Sequence, residues 1–326
     1  MIMKSILVHK FEDIISVENL LYAWQEFLRG KRNKLDVQQF SFRLMDYIFD
    51  LHYDLLNHTY KHGGYQCFRI NDPKPRTIHK ASVRDRLLHH AVYRVLYPFF
   101  DKTFVTDSFS CRNNKGTHKA LNRFEWFIRM VSKNNTKTCW ILKCDIKKFF
   151  ASVGQTTLIK ILEKYIQDKD TINLLKEIIF SFKPNGLPLG NLTSQLFANV
   201  YLNEFDQFVK HKLKVKYYIR YADDFIILSG NKEYLKIIIP LVGNFLENEL
   251  KLTLHPNKIC IKRLNSGADF LGWVNFLGYK ILRNKTKRRM LEKIKKNSKL
   301  ETLNSYWGLL KHGETKDIKK QIIKYF

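Results

Sequence analysis

Tyr221-Ala222-Asp223-Asp224 sets two carboxylates side by side between the apolar runs Tyr217-Tyr218-Ile219 and Phe225-Ile226-Ile227-Leu228. Two strand-like segments joined by so short a polar link predict a β-hairpin, with both carboxylates at its tip. Adjacent Asp side chains repel each other, so keeping both ionised requires a compensating cation, most simply a divalent metal. A plain solvated turn is the competing reading, because Asp is common in turns. The rest of the chain decides between the two.

Upstream, the strand-like Trp140-Ile141-Leu142-Lys143-Cys144-Asp145-Ile146 ends at another carboxylate and runs into Lys147-Lys148-Phe149-Phe150. Gly186-Leu187-Pro188-Leu189-Gly190-Asn191-Leu192-Thr193-Ser194-Gln195 is a loop that lets a ligand approach backbone, with Thr193 or Ser194 as the cap of a long helix. Nearer the N-terminus, 68–78 reads as two short strands around a Pro-rich turn with Lys74 and Arg76 at its tip. A basic tip of that kind reaches a triphosphate as fork and point charge, or is an ordinary exposed turn. Downstream, 252–258 returns as a strand and turn, and Phe270-Leu271-Gly272-Trp273 makes a second hairpin.

Helical spacing of apolar residues covers 17–57 around a basic loop, and 83–100. It also covers 119–131 behind a Thr117 cap, 157–167 and 171–182. Another helix starts near Asn231, where Pro240 interrupts or kinks it. The last stretch, 283–326, is helical and basic.

The 326 residues carry 57 Lys+Arg against 30 Asp+Glu, a net charge of +27. That excess points to a polyanionic partner, although drift toward Lys in an AT-rich genome also raises it. The basic residues interleave with 16 Tyr and 24 Phe, a pattern suited to a groove that tracks phosphates and offers rings for stacking. The five cysteines form no Cys-x-x-Cys pair, and no His cluster has zinc spacing. Residues 1–8 lack a signal-peptide h-region, and no apolar run is long enough to span a bilayer. The expectation is a cytoplasmic protein with no membrane partner.

Taken in order, these pieces suit in-line phosphoryl transfer onto a primer hydroxyl, which uses two metal ions about 3.5–4 Å apart. Asp145 and Asp223 would supply hard oxygen ligands from neighbouring strands without any His or Cys. From about Gly64 to Trp273 the chain resembles reverse transcriptases. Tyr221-Ala222-Asp223-Asp224 looks like their Tyr-x-Asp-Asp motif. The run from Lys143 to Phe150 looks like their first catalytic motif, with an aromatic five residues after Asp145.

The resemblance implies an α+β right-hand polymerase: fingers, a palm of antiparallel sheet plus helices, and a short helical thumb. The corresponding segments are an N-terminal helical region at 1–60, fingers at 61–140, a palm at 141–279 with inserted fingers at about 151–186, and a basic thumb at 280–326. It implies two Mg²⁺ ions, with Mn²⁺ as a substitute, held by Asp145 and Asp223, supported by Asp224 and completed by the Ile146 carbonyl. The Phe149 N–H would face the triphosphate. Phe150 would gate against a ribose 2′-hydroxyl, or be a core ring. Lys74 and Arg76 match the fingers positions over the phosphates. Leu189 and Gly190 would lie by the incoming nucleotide, and Lys258 is similar in place to the general acid for pyrophosphate. Phe270-Leu271-Gly272-Trp273 resembles the primer grip.

Where most reverse transcriptases have Gln and Pro, this chain has Leu189 and Gln195. Together with Ser110-Cys111-Arg112-Asn113-Asn114-Lys115-Gly116-Thr117-His118, that form resembles the enzymes of diversity-generating retroelements. These copy a template-repeat RNA into cDNA with errors opposite adenines and work with a small basic accessory protein. By that resemblance Leu189, Gln195 and Arg112 bear on template handling and fidelity. An apolar Leu189 removes one polar check on the nascent pair. Group II intron, retron and defence-associated reverse transcriptases are the alternatives. A non-catalytic RNA-binding scaffold and a nucleotide cyclase are the readings from other classes.

Overall fold

The computed structural model describes residues 6–72, 74–296 and 300–323. Residues 1–5, Pro73 of the Pro-rich turn, and 297–299 and 324–326 of the basic C-terminal stretch lie outside them. The chain divides into two compact units. The first comprises Met1–Val105, Ile146–Phe208 and Asn244–Thr253; the second comprises Thr106–Asp145, Val209–Gly243 and Leu254–Phe326.

The first unit is mainly helical. Its axis is the helix Val83–Thr103, which starts where the Ser82 hydroxyl accepts the Asp85 N–H. Leu87, Leu88, Val92, Leu96 and Phe100 are fully buried along it, at the spacing of a single helix face. Helices Val17–Phe27 and Leu192–Gln207 pack on it. Leu192–Gln207 is buried on nearly every side, including Phe197, Tyr201 and Phe205. Its N-cap is Asn191 rather than Thr193 or Ser194, both of which are buried inside the first turn. Asn191 makes no side-chain cap, and both of its side-chain polar atoms are buried without a hydrogen-bond partner. Helices Gln155–Glu163 and Lys169–Phe180 begin two residues earlier than their apolar spacing predicts. Gly154 opens one, and the Asp168 carboxylate opens the other by accepting the Thr171 N–H.

Strands β1 (Gln66–Ile70) and β2 (Arg76–Lys80) form the predicted hairpin, with Lys74 and Arg76 exposed at its tip. The Gly-Pro loop is stitched to β2, where the His79 N–H donates to the Leu189 carbonyl at 2.8 Å. Gly190 has φ +117°, and a Cβ there would come within 2.8 Å of Ile78. Glycine is therefore required both by conformation and by close approach.

The second unit holds a four-stranded antiparallel sheet in the order β4-β5-β3-β6. The strands are β3 (Trp140–Asp145), β4 (Tyr218–Tyr221), β5 (Asp224–Ser229) and β6 (Cys260–Arg263). A second sheet orders β7 (Ala268–Phe270), β8 (Trp273–Asn275) and β9 (Lys280–Leu282). One face of the first sheet contributes Ile141, Ile219, Ile226 and Leu228 to a core. Phe124 and Phe127 of helix Thr117–Val131 join them, as do Phe270 and Trp273, Met290 and Ile294 of helix Asn284–Lys296, and Leu310 of helix Leu300–Leu310.

Three further local expectations change. Thr117 begins its helix instead of capping it; Gly116 is the cap residue at φ +93°, and the Thr117 hydroxyl turns to the Tyr221 hydroxyl at 3.1 Å. The stretch 252–258 is not a strand: Pro256 opens the 3₁₀ turn Pro256–Lys258, with β6 following. Helix Lys232–Leu250 runs unbroken through Pro240, at the loss of one intrahelical hydrogen bond. Among the described residues no helix is long and apolar enough to cross a membrane.

Candidate active site

The site is built by strand register. β3 pairs with β5 so that Asp145 lies directly opposite Asp224, and β4 pairs with β5 so that Tyr221 lies opposite Asp224. The hairpin turn is therefore only Ala222 and Asp223. Asp223 sits at the tip as expected. Asp224 does not; it is the first residue of β5. Because strand side chains alternate, Asp145, Asp224, Tyr221 and Lys143 share one face of the sheet. Two carboxylates opposite each other on neighbouring strands, with another in the adjoining turn, concentrate negative charge at one end of a buried sheet.

The surrounding cations answer that charge only in part. Lys258 places its ammonium 2.9 Å from Asp145 Oδ1, with 44% of the Lys258 side chain and 14% of the Asp145 side chain exposed. The 3₁₀ turn that carries Lys258 is pinned to the strand end, because the His255 N–H donates to the Asp145 carbonyl at 2.8 Å. Lys143 donates to the Asp269 carbonyl on β7 at 3.0 Å, and Arg283 pairs with the Asp269 carboxylate. The resemblance assigns Lys143 no role. Its signal is its place two residues before Asp145, on the same strand face.

Burial pushes the Asp224 carboxyl up to about 6; Lys143 pulls it down, Asp223 and Asp145 push it further up, and Lys258 pulls it down. The raised value means that the proton favours the folded state. That contribution is present below about pH 3.8 and is lost as the pH rises through 6. Above it, keeping the buried Asp224 carboxylate ionised costs about 3 kcal/mol. In EDTA at about pH 8, Asp224→Asn should therefore be more stable than wild type by about 2–3 kcal/mol in urea unfolding, and added Mg²⁺ should narrow the gap. Equal stability in EDTA would refute the charge-strain account.

Among the described residues no three His, Cys, Asp or Glu side chains are gathered closely enough to cage a metal ion. The donor chemistry nevertheless fits a hard divalent cation. The side-chain ligand candidates are all carboxylates, burial and then the neighbouring carboxylates raise Asp224, and a lysine ammonium stands against Asp145.

The remaining predicted residues fall in two groups. Lys74, Arg76, Ile146, Phe149, Phe150, Leu189, Gly190 and Gln195 belong to the first unit. There the Phe149 ring is core at 2% exposure, whereas Phe150 is half-exposed and meets it edge-on at 5.4 Å. The Phe150 carbonyl accepts the Leu187 N–H at 2.7 Å, and a Cβ at Gly186 would lie 2.6 Å from that same oxygen. The Gly-Pro loop thus touches both Phe150 and β2.

In the second unit, Leu271 and Gly272 form the two-residue turn of the β7-β8 hairpin, with φ +50° and +87°. Positive φ at both positions is the type I′ pattern. Phe270 and Trp273 on either side are core residues, so only the tip of the primer-grip motif is available for contact. Arg112 donates to the Ser108 carbonyl at 3.0 Å.

Residues 61–281 match the family described as "Reverse transcriptase (RNA-dependent DNA polymerase)". The chain is 26% identical over 240 residues to protein YkfC of Escherichia coli, covering 61% of this chain and 62% of that one. It is 24% identical over 274 residues to the group II intron-encoded protein LtrA of Lactococcus lactis, covering 62% and 45%. Each of these relatives is therefore spanned only in part. Among solved structures, telomerase from Candida albicans superposes with a TM-score of 0.52 at 13% identity, over 82% of this chain and 58% of that one. The fold is that of a right-hand polymerase, and the chain belongs to the reverse transcriptase family.

Proposed function

We propose that the chain is an RNA-directed DNA polymerase that extends a primer on an RNA template with dNTPs. The proposal rests on one observation: Asp145 and Asp224 are register partners, with Asp223 in the adjoining turn. Asp145 and Asp223 would hold two Mg²⁺ ions, replaceable by Mn²⁺, supported by Asp224 and the Ile146 carbonyl. When bound, such ions activate the primer hydroxyl and neutralise charge developing on the triphosphate. Lys258 would hold Asp145 and then serve the leaving pyrophosphate. Lys74 and Arg76, exposed on the β1-β2 tip, would take the phosphates of the incoming nucleotide. The half-exposed Phe150 ring supports its role as the gate against a 2′-hydroxyl. The net charge of +27 supports a nucleic-acid partner.

Within that activity, the apolar Leu189 and the Ser194-Gln195 ending support the diversity-generating type. Such an enzyme would make cDNA from a template-repeat RNA with errors at adenines, aided by a small basic accessory protein. The similarity to LtrA favours a second reading, an intron-type enzyme that copies faithfully.

The test is primer extension on an RNA template, with and without any small basic protein encoded nearby, followed by cDNA sequencing for wild type and Leu189→Gln. Errors clustered at template adenines, and reduced in Leu189→Gln, are the expected result. Faithful cDNA would move the chain to the intron-type reading. Absence of cDNA under every condition would remove the polymerase reading.

A further inference from the structure

The catalytic turn carries a backbone conformation that its own residues do not favour. Ala222 has φ +55°, in the left-handed region. A non-glycine residue stays there only where its surroundings over-determine it. Two residues earlier, Arg220 is fully buried at 0% exposure. Arginine is rarely so placed, because burying its charge is costly unless its donors are satisfied.

The Arg220 guanidinium joins two points. Nη1 donates to the Ala222 carbonyl at 3.1 Å, and Nη2 donates to the Ser108 hydroxyl at 3.0 Å. Ser108 is itself held. The Arg220 N–H donates to the Asp107 carbonyl and the Phe109 N–H donates to the Arg220 carbonyl, both at 3.0 Å. The Ser108 carbonyl accepts from Arg112 Nη1. Strand alternation sets Arg220 on the face opposite Tyr221 and Asp224. Tyr221 is tied by its hydroxyl to Thr117, so the turn is gripped from both faces of the hairpin.

The oxygen that Arg220 holds is in the peptide joining Ala222 to Asp223. That peptide is planar, so fixing its oxygen also fixes the Asp223 nitrogen. Asp223 then retains only its own φ and side-chain torsions to aim its carboxylate. A planar fork with donors on two branches can span a carbonyl and a hydroxyl together; a lysine ammonium is a single point on a flexible stem.

We propose that Arg220 is a positioning residue for the catalytic turn: anchored on Ser108, it fixes the Ala222–Asp223 peptide and so the direction in which Asp223 presents its carboxylate to divalent metal. The inference rests on the polymerase reading above for its activity arm, and has a binding arm that does not.

The experiment compares wild type, Arg220→Lys and Ser108→Ala. Three quantities are measured: the Mg²⁺ concentration for half-maximal primer extension, Mn²⁺ binding without substrates by the loss of the free-ion electron paramagnetic resonance signal, and the melting temperature. Arg220→Lys should raise the half-saturating Mg²⁺ and weaken Mn²⁺ binding by about tenfold, the scale of losing a group that orients a metal ligand. Extension should partly recover at high Mg²⁺. Ser108→Ala should move both quantities the same way by a smaller factor, and it carries the test if Arg220→Lys does not fold. Wild-type metal curves in the folded variants, whatever their rate or stability, would overturn the proposal by making Arg220 merely structural. If wild type extends no primer, the polymerase reading fails, and Mn²⁺ binding alone decides: weakened in the variants, the positioning role stands; unchanged, it falls.

Discussion

Asp223→Asn should slow primer extension by about 10³-fold or more while leaving the fold intact. The substitution removes one negative charge and little else. Asn forms turns as readily as Asp, so the two-residue link between Tyr221 and Asp224 should survive. On the proposed mechanism, what is lost is an anionic ligand at the point where positive charge must gather during phosphoryl transfer. A 10³-fold effect corresponds to about 4 kcal/mol of transition-state stabilisation, within the several kcal/mol that metal clamping supplies. Asp145→Asn should be as severe, with an added consequence: Lys258 loses its carboxylate partner at 2.9 Å. The measurement is single-turnover extension at saturating dNTP, with the melting temperature as control. A rate within tenfold of wild type for a folded Asp223→Asn would remove the metal-ligand assignment, and with it the distinction between this chain and a non-catalytic RNA-binding scaffold.

The amino-acid order discloses elements more readily than their partners. The strand ending at Asp145 and the hairpin around Asp223 are visible because apolar runs stop abruptly at short polar links, and the hairpin around Leu271 through its glycine turn. The hairpin at 68–78 is visible through its Pro-rich turn, and the motif order suggests a right-hand polymerase. Register is another matter. That Asp145 faces Asp224 is decided by pairing between strands about eighty residues apart, and nothing local to either strand fixes it. Helix starts depart from the sequence pattern where a capping side chain is engaged elsewhere: Thr117 bonds Tyr221, and Thr193 is buried within the helix that follows Asn191. Lys143 and Lys258 were legible as basic residues, but their attachments to Asp269 and Asp145 are tertiary. Arg220 was the least legible. It lies between an apolar run and the carboxylate motif with no signal of its own, and only the fold brings Ser108 to it.

Acidification below about pH 6.5 should destabilise the first unit. Burial holds the His89 imidazole down to about 3, with further depression from His62, His90 and Arg86 against a raising pull from Asp85. Burial holds His90 down to about 4, with Lys31 and Arg86 acting in the same direction. Both rings lie on the axial helix Val83–Thr103, and the Nδ1 atom of each is buried without a hydrogen-bond partner. His89 Nε2 lies 3.2 Å from His62 Nε2, a contact in which one ring must donate and the other accept. His62 Nδ1 faces the Gly63 carbonyl and so carries the His62 proton, which leaves His62 Nε2 to accept from His89 Nε2–H; a further proton on His89 sits on its Nδ1, buried with no acceptor. Beside this pair, buried Asp85 accepts from the Tyr60 and Ser82 hydroxyls, both at 2.7 Å, so its carboxylate is already engaged. In the unfolded chain both histidines protonate near their ordinary value of about 6.5. The folded values are depressed, so the stability is complete above that pH and is lost as the pH falls toward 4 and then 3. Each pH unit below about 6.5 withdraws about 1.4 kcal/mol for a histidine that stays neutral. At about pH 4.5, His89 alone accounts for about 3 kcal/mol, and the less buried His90 adds a smaller share. Against a total stability of about 5–15 kcal/mol, this is enough to shift urea midpoints visibly. In an Asp224→Asn background, where the opposing titration of Asp224 is absent, urea unfolding at pH values between about 7 and 4.5 should show the decline. The decline should be shallower in His89→Asn, which titrates in neither state, whatever that substitution costs at neutral pH. Parallel slopes in the two proteins would show that His89 takes up its proton in the folded state as readily as in the unfolded one.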